Sequence, residues 1–196
     1  MISIIMGIYN CSATLEEALD SIIAQTYRDW ELIMCDDGST DSTYEVASRY
    51  IREHSDYKIK LLRHKSNQGL NRTLNDCLKE VQGEFVARMD ADDISLPARL
   101  EKELKAFEED PKLSIVSCPM IYFDENGDWG KGVCKKAYPN KENLVYGTIH
   151  AHAPCLVRTE AFQAVGGYSE GKRLLRVEDW HLWIKMYASG RYGINL

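Results

Sequence analysis

Strand-like and helix-like segments alternate through residues 1–89, and this alternation constrains the fold more than any other feature of the sequence. Each apolar, β-branched run is followed by a turn rich in helix-capping residues and then by apolar residues at helical spacing. Parallel strands need helical crossovers, so the pattern predicts an α/β fold with a mainly parallel sheet covered on both faces. The predicted strands are Ser3–Ile8, Glu31–Cys35, Lys58–Arg63 and Phe85–Met89, and the predicted helices begin near Thr14, Ser42 and Leu70.

The pattern is less regular after Pro97. A helix is predicted from Pro97 to Glu109, and the apolar run Leu113–Phe123 predicts one long strand. The turn sequence Asp-Glu-Asn-Gly at 124–127 indicates a hairpin. A final helix is expected in 177–190, where an apolar stripe is typical of core packing; its members are Leu182, Trp183, Met186 and Tyr187.

Length and composition limit the class of protein. A chain of 196 residues with 44% hydrophobic content is long enough for one core, so we expect a single domain over 1–196. The net charge of −6 argues against nucleic acid as the partner. No apolar run reaches the ~20 residues of a membrane span, and Met1–Asn10 lacks the pattern of a signal peptide. Because Leu196 ends an apolar run with no closing turn, we expect a C-terminal truncation.

The six cysteines are scattered and form no zinc-like pair, which indicates reduced, buried thiols in a cytoplasmic protein. The expected localisation is therefore the cytoplasm, with peripheral association at the inner face of the cell membrane left open.

Three carboxylates, Asp90, Asp92 and Asp93, follow the fourth predicted strand directly. Their mutual repulsion lowers stability unless a cation or protons offset it. In parallel sheets ligands bind at the carboxyl ends of the strands, and Asp36-Asp37 end a second strand at that edge. Mg²⁺ and Mn²⁺ take such oxygen ligands and leave positions for substrate phosphates, so the sequence predicts that a divalent cation binds here.

The acidic segment also resembles two other kinds of site. An EF-hand loop counted from Asp90 would need Gly at its sixth position, where Ser95 stands, so the calcium interpretation fails. A phosphatase of the haloacid dehalogenase type would use Asp90 as nucleophile and Asp92 as acid/base, but Ile94 occupies the fifth position of its motif and the loop follows a fourth strand. The phosphatase is the inferior alternative. A non-catalytic nucleotide-sugar-binding module is a third hypothesis.

Several segments together resemble the family 2 inverting glycosyltransferases of the GT-A fold. The similarity extends over nearly the whole chain in the order found in that family. The segments are MGIYNCSATLEEALDSIIAQTYRDWELIMCDDGSTDST (6–43), NQGLNRTLN (67–75), MDADDISLPARLEKE (89–103), VGGYSE (165–170) and VEDWHLW (177–183).

The resemblance implies a metal-dependent transfer of a sugar from a nucleotide-sugar, most often a UDP-sugar, to a saccharide or lipid-linked acceptor in cell-envelope polysaccharide synthesis. It implies a nucleotide-sugar-binding half over 1–95 and an acceptor half over 96–196. Tyr9 and Asn10 would flank the base, and Asp36 or Asp37 would hydrogen-bond the base or ribose. Asp92 would bind Mn²⁺ or Mg²⁺, and Asp90 would reach both ribose and metal. Asp179 would be the catalytic base.

Two further features lie in the expected acceptor half. His150 and His152 could help bind a metal or an acceptor phosphate, although a structural role is favoured for both. Gly166 and Gly167 are expected to give the backbone freedom for a loop near the acceptor.

Overall fold

The computed structural model describes residues 1–132, 136–171 and 177–196. The strands are β1 (Ile2–Ile8), β2 (Trp30–Asp36), β3 (Ile59–Arg63), β4 (Phe85–Arg88), β5 (Ile115–Ser117), β6 (Met120–Asp124), β7 (Gly127–Gly132), β8 (Cys155–Arg158) and β9 (Gly193–Asn195). The helices are α1 (Leu15–Ile23), α2 (Thr43–Glu53), α3 (Leu70–Leu78), α4 (Arg99–Glu109), α5 (Thr159–Val165) and α6 (Glu178–Ala188), with a 3-10 helix at Lys141–Tyr146.

Seven strands form one sheet in the order β3-β2-β1-β4-β8-β5-β9. Strands β1 to β4 run parallel, as the alternating pattern predicts. Strand β8 is antiparallel to both of its neighbours, β4 and β5, while β9 is parallel to β5. It follows that β5 points the same way as β1 to β4, so their carboxyl ends share one edge of the sheet.

The sheet is covered on both faces because its buried strands are apolar on both sides. In β1, Ile4 and Met6 pack in one hydrophobic cluster with α1, α2 and α4, whereas Ile5 packs in the other with α3, α5 and α6. The predicted stripe of the last helix lies in this second cluster. Such two-sided burial explains why β1 and β2 are continuous apolar runs.

One predicted element is wrong. The expected strand Leu113–Phe123 is two strands in different sheets, β5 and β6, separated by Cys118 and Pro119. Proline has no backbone N–H to donate to a sheet, and the chain leaves the main sheet there. The predicted hairpin is confirmed: β6 pairs with β7 around Asp124 and Gly127.

The cysteines have the character that their spacing indicates. Cys35, Cys77 and Cys155 are buried, and Cys11 and Cys118 are partly buried. Cys134 lies outside the described residues. Among the described residues, no helix combines the length and the apolar character needed to cross a membrane.

Candidate active site

The loops that follow β1, β2 and β4 lie together at the carboxyl edge of the sheet, as their parallel strands require. The backbone N–H of Asp37 donates to the carbonyl of Ile8 at 2.9 Å, which joins the β2 loop to the end of β1. The hydroxyl of Thr14 donates to the carbonyl of Ala91 at 2.9 Å, which joins the β1 loop to the acidic segment. The fold therefore brings the predicted residues of these three loops to one place.

Asp37 is almost completely buried, and both of its oxygens accept hydrogen bonds from the protein. Its Oδ1 lies 2.7 Å from Nδ1 of His64 and accepts from the backbone N–H of Gln68 at 2.7 Å. Its Oδ2 accepts from the N–H of Gly69 at 2.9 Å. Although burial opposes the charged form, hydrogen bonds to Asp37 and Asp76 raise the pKa of His64. Asp37 thus fixes the β3 loop and the start of α3.

Asp36 is also buried, at the last position of β2. Its Oδ1 accepts from the N–H of Ser39 at 3.1 Å. Its Oδ2 lies 3.2 Å from Nε of Arg63 but makes no hydrogen bond of good geometry. Of the two neighbouring aspartates, Asp36 is the one with an oxygen that accepts no hydrogen bond within the described residues.

Tyr9 and Asn10 differ in what they offer to a ligand. The side chain of Tyr9 is 46% exposed, so its ring is open to stacking. Asn10 adopts a left-handed conformation with φ of 49°, and its Oδ1 accepts from the N–H of Thr40 at 2.9 Å and of Asp41 at 3.4 Å. Asn10 therefore holds the β2 loop in place beside Tyr9.

The acidic segment contains one carboxylate paired with a cation and one that is unpaired. Asp90 makes a two-point contact with the buried guanidinium of Arg88, at 2.7 Å from Nη1 and 2.6 Å from Nη2. Asp92 is exposed, and within the described part of the chain its carboxylate makes no hydrogen bond or ion pair. Burial raises the pKa of Asp93, and the charges of Asp90 and Asp92 raise it further. The segment concentrates negative charge around the free carboxylate of Asp92.

This donor set fits a divalent cation that arrives with a diphosphate. Magnesium and manganese sites of this kind take one or two carboxylates, and phosphate oxygens complete the coordination. Among the residues that the structure describes, no group of three His, Cys, Asp or Glu side chains is arranged to hold a metal. Asp92 and the remaining lone pairs of Asp90 could supply two oxygen ligands to such a cation, and a substrate would have to supply the others.

Asp179 lies in the first turn of α6 and is half-buried. Its Oδ1 accepts from the backbone N–H of Trp180 at 2.7 Å. The indole N–H of Trp180 donates to the carbonyl of Leu144 at 2.7 Å, which ties this turn to the 3-10 helix. The carboxylate keeps its second oxygen for other partners.

The two histidines have structural contacts, as the sequence favours. His150 lies between Asn195 and Tyr187, at 2.7 and 3.0 Å, and burial lowers its pKa to about 4. His152 lies 2.8 Å from the hydroxyl of Tyr168, and burial lowers its pKa well below the ordinary value. Both rings are therefore neutral at pH 7.

The model of the family described as Glycosyl transferase family 2 matches residues 3–166. The chain belongs to glycosyl transferase family 2. Membership makes the chain a glycosyltransferase, and it favours this activity over the phosphatase and the non-catalytic module. The GT-A fold expected from the resemblance is confirmed by solved glycosyltransferase structures.

Three proteins illustrate what this family 2 chain resembles. EpsE of Bacillus subtilis (strain 168), assigned as a glycosyltransferase, is 40% identical over 195 residues, which cover 100% of this chain and 69% of EpsE. WfgD of Escherichia coli, named as a UDP-Glc:alpha-D-GlcNAc-diphosphoundecaprenol beta-1,3-glucosyltransferase, is 39% identical over 105 residues, covering 53% of this chain and 40% of WfgD. The mannosyltransferase PcManGT of Pyrobaculum calidifontis, solved with GDP-Man and Mn²⁺, has a TM-score of 0.79 and 24% identity. This chain is fully covered in that comparison and spans 54% of PcManGT.

Sequence reasoning missed two residues of this family 2 site, Arg88 and Tyr168. Arg88 ends β4, where a buried apolar residue is the usual occupant, and a cation two residues before Asp90 was the available signal. Tyr168 is 2% exposed, and burial raises its pKa well above the ordinary value, with further contributions from the Asp90 and Glu178 carboxylates. Its hydroxyl therefore lies within the electrostatic reach of both the acidic segment and the first turn of α6.

Proposed function

We propose that this chain transfers a sugar from a nucleotide-sugar to a hydroxyl group of a saccharide or lipid-linked saccharide, in the synthesis of polysaccharide, lipopolysaccharide or glycolipid. The observation that carries the proposal is the acidic segment, in which Arg88 holds Asp90 while Asp92 is exposed and unpaired. The UDP-Glc donor in the name of WfgD makes a UDP-sugar the first candidate, and the Mn²⁺ of PcManGT supports a divalent cation. The proposed setting is the cytoplasm, with peripheral association at the membrane where a soluble donor meets a lipid-linked acceptor.

In this proposal, residues 1–95 bind the nucleotide-sugar and residues 96–196 bind the acceptor. Tyr9 and Asn10 flank the base, because the exposed ring of Tyr9 offers a stacking surface. Asp36 or Asp37 hydrogen-bonds the base or ribose. Oδ2 of Asp36 accepts no hydrogen bond within the described residues, which favours Asp36 for this contact, since both oxygens of Asp37 already accept hydrogen bonds.

The reaction is a single displacement with one base. Bound at Asp92 and Asp90, a Mn²⁺ or Mg²⁺ ion would stabilise the negative charge that develops on the leaving diphosphate. Asp179 accepts the proton of the acceptor hydroxyl while the oxygen of that hydroxyl forms a bond to the anomeric carbon. The bond from that carbon to the diphosphate oxygen breaks, and the electron pair leaves with the nucleoside diphosphate. Attack opposite the leaving group inverts the anomeric centre.

The donor site is tested by thermal melting with Mn²⁺ and UDP-, GDP- or dTDP-sugars, each alone and combined. We expect one nucleotide class to raise the melting temperature only in the presence of Mn²⁺, because a ligand that binds the folded state stabilises it. Asp92→Asn should abolish this shift. Asp56→Asn, which changes an exposed aspartate outside the site, should keep it. An equal shift in Asp92→Asn would contradict the metal assignment.

The base is tested by sugar transfer to acceptors of graded length. Asp179→Asn should lower turnover by roughly 10²–10⁴-fold while the donor-induced melting shift is kept, because general-base catalysis contributes about that factor. Release of inorganic phosphate from small phosphoesters that depends on Asp90 would instead favour the phosphatase. Donor binding without transfer in the unsubstituted chain would favour the non-catalytic module.

A further inference from the structure

Two segments from different halves of the chain contact each other directly. The first is α3, and the second is the Tyr168 loop, defined here as residues 166–171. The amide of Asn75 on α3 holds this loop at three points: Nδ2 donates to the carbonyl of Tyr168 at 2.8 Å and to Oε1 of Glu170 at 2.9 Å, and Oδ1 accepts from the N–H of Tyr168 at 2.8 Å. One side chain thus satisfies both backbone groups of Tyr168.

Neighbouring residues strengthen this contact. Asn71, one turn earlier on α3, donates from Nδ2 to the carbonyl of Ser169 at 2.7 Å. Gly167 has φ of +69°, and a Cβ atom there would lie 2.6 Å from Oδ1 of Asn75. Glycine is therefore required for two reasons, backbone conformation and close approach. The contact between the two segments is therefore defined by several hydrogen bonds and by a glycine that no other residue can replace without strain.

The start of α3 is also anchored to the β2 loop. Asp37 accepts hydrogen bonds from the N–H groups of Gln68 and Gly69, the two residues that precede the helix. A helix is a rigid element whose ends move together. Through α3, the Tyr168 loop is held in a fixed position relative to the β2 loop.

The Tyr168 loop in turn contacts the helix that carries Asp179, both directly and through His152. The hydroxyl of Tyr168 lies 2.8 Å from Nε2 of His152, and the ring of His152 meets Trp183 of α6 edge-on at 5.9 Å. Lys185 of α6 donates to the carbonyls of Val165 and Gly167 at 3.0 and 2.5 Å. The position of α6 therefore depends on the loop that Asn75 holds.

We propose that Asn75 is a positioning residue for sugar transfer: it fixes the Tyr168 loop and, through that loop, the first turn of α6 relative to the nucleotide side of the sheet. The inference rests on the proposed function, because it says that this contact serves to place Asp179 as the catalytic base. A displacement of a reacting group by about 1 Å is enough to lower a rate by roughly 10²-fold, so a residue without contact to the substrate can control turnover.

The test compares Asn75→Ala with the unsubstituted chain. We expect kcat for sugar transfer to fall about 10- to 100-fold while the dissociation constant of the UDP-sugar with Mn²⁺ changes less than about twofold, because the donor loops stay in place. Asn71→Ala removes one hydrogen bond of the same contact and should change kcat in the same direction by a smaller factor. It also keeps the test valid if Asn75→Ala folds poorly. Asn126→Ala, which removes an exposed amide from the hairpin turn, is the matched control and should leave kcat unchanged.

Hydrogen exchange gives a second measurement that does not need activity. Asn75→Ala should speed exchange at Tyr168–Glu170 and at Glu178–Trp180 and leave β1 and β2 unchanged. The inference would be overturned if kcat were unchanged or if exchange at Glu178–Trp180 were unchanged. It would also be overturned if donor affinity and turnover fell in equal proportion. If the unsubstituted chain transfers sugar and Asn75→Ala does so equally well, only this inference fails. If the unsubstituted chain binds no nucleotide-sugar and transfers none, the proposed function fails, and the inference falls with it.

Discussion

Two acidic loops lie at the same edge of the sheet, and the protein surrounds their carboxylates in different ways. In the β2 loop, Asp36 and Asp37 are 0% and 3% exposed, and Asp37 accepts three hydrogen bonds from the β3 loop and the start of α3. In the loop after β4, Asp90 is paired with Arg88, while Asp92 is exposed and has no partner among the residues that the structure describes. Asp37 therefore serves to assemble the protein, whereas the carboxylate of Asp92 is exposed to solvent. Burial and the number of donors decide which role applies.

The largest effect on stability is expected at Asp37. Replacing Asp37 by Asn puts an amide N–H₂ group against donors that need an acceptor, so the free energy of unfolding should fall by about 3–5 kcal/mol, as for a broken buried ion pair. Urea unfolding measures this change. Asp56→Asn is the control for the loss of one carboxylate and should stay within about 0.5 kcal/mol. If Asp37→Asn lowered the free energy of unfolding by less than about 1 kcal/mol, Asp37 would not have the structural role that distinguishes it from Asp92.

Glu103 is a buried carboxylate that accepts fewer hydrogen bonds than Asp37, and it extends the comparison between buried and exposed carboxylates. Glu103 is fully buried, and this burial raises its pKa to about 7, although Arg99 and Cys118 act in the opposite direction. The unfolded value is about 4.5. Between pH 4.5 and 7 the folded state thus keeps a proton that the unfolded state has lost. The contribution of Glu103 to stability is therefore full below pH 4.5 and decreases as the pH rises to 7.

Urea unfolding at pH 5, 6 and 7 measures this dependence. The free energy of unfolding of the unsubstituted chain should fall relative to Glu103→Gln as the pH rises, because the glutamine keeps a neutral side chain throughout. If the free energy of unfolding changed with pH in the same way in both proteins, the raised pKa of Glu103 would be contradicted.

A smaller effect is expected at Asn10, which orders the β2 loop from outside. Asn10→Ala removes the acceptor for the N–H groups of Thr40 and Asp41 and places alanine at φ of 49°, so stability should fall by about 1–2 kcal/mol. Asn10→Gly removes the same hydrogen bonds without the backbone strain and should cost less. Thermal unfolding of the two variants separates the loss of the hydrogen bonds from the backbone strain. Equal losses would mean that strain at this position is negligible.

The smallest effect is expected at Asp92 without metal. Asp92→Asn removes repulsion with Asp90 and Asp93 and breaks no hydrogen bond, so the metal-free protein should be unchanged or more stable by a few tenths of a kcal/mol. Chemical unfolding in the presence of a chelator measures this difference. A clear destabilisation would show that Asp92, like Asp37, has a structural role.

Much of this comparison could be predicted from the sequence. The apolar runs ending at Ile8, Cys35 and Met89 placed three strands and their polar loops correctly, because both faces of these strands are buried and the pattern is strong. The positions of Asp36, Asp37, Asp90 and Asp92 at one edge follow from parallel strands alone.

The rest depends on contacts that local patterns do not encode. Strand β8 is only four residues long, and its place between β4 and β5 is set by tertiary packing. Asn75 and Tyr168 are separated by 93 positions, so nothing in either segment identifies the other. Arg88 is the exception, because residues i and i+2 of an extended segment lie on the same side, so its place two residues before Asp90 was a usable signal.

The place of β8 also has a consequence for the order in which the protein forms. Within the described residues, strands β1 to β4 pair only with one another and with β8, so the half of the sheet proposed to bind the nucleotide is nearly complete once residue 88 has been made. Within the described residues, β5 pairs with β8 and β9 alone, and both come later in the chain. During synthesis, the first half can therefore assemble as a unit while β5 waits for about 40 further residues to reach its first neighbour. We expect the acidic loops to be in place before the candidate base has left the ribosome.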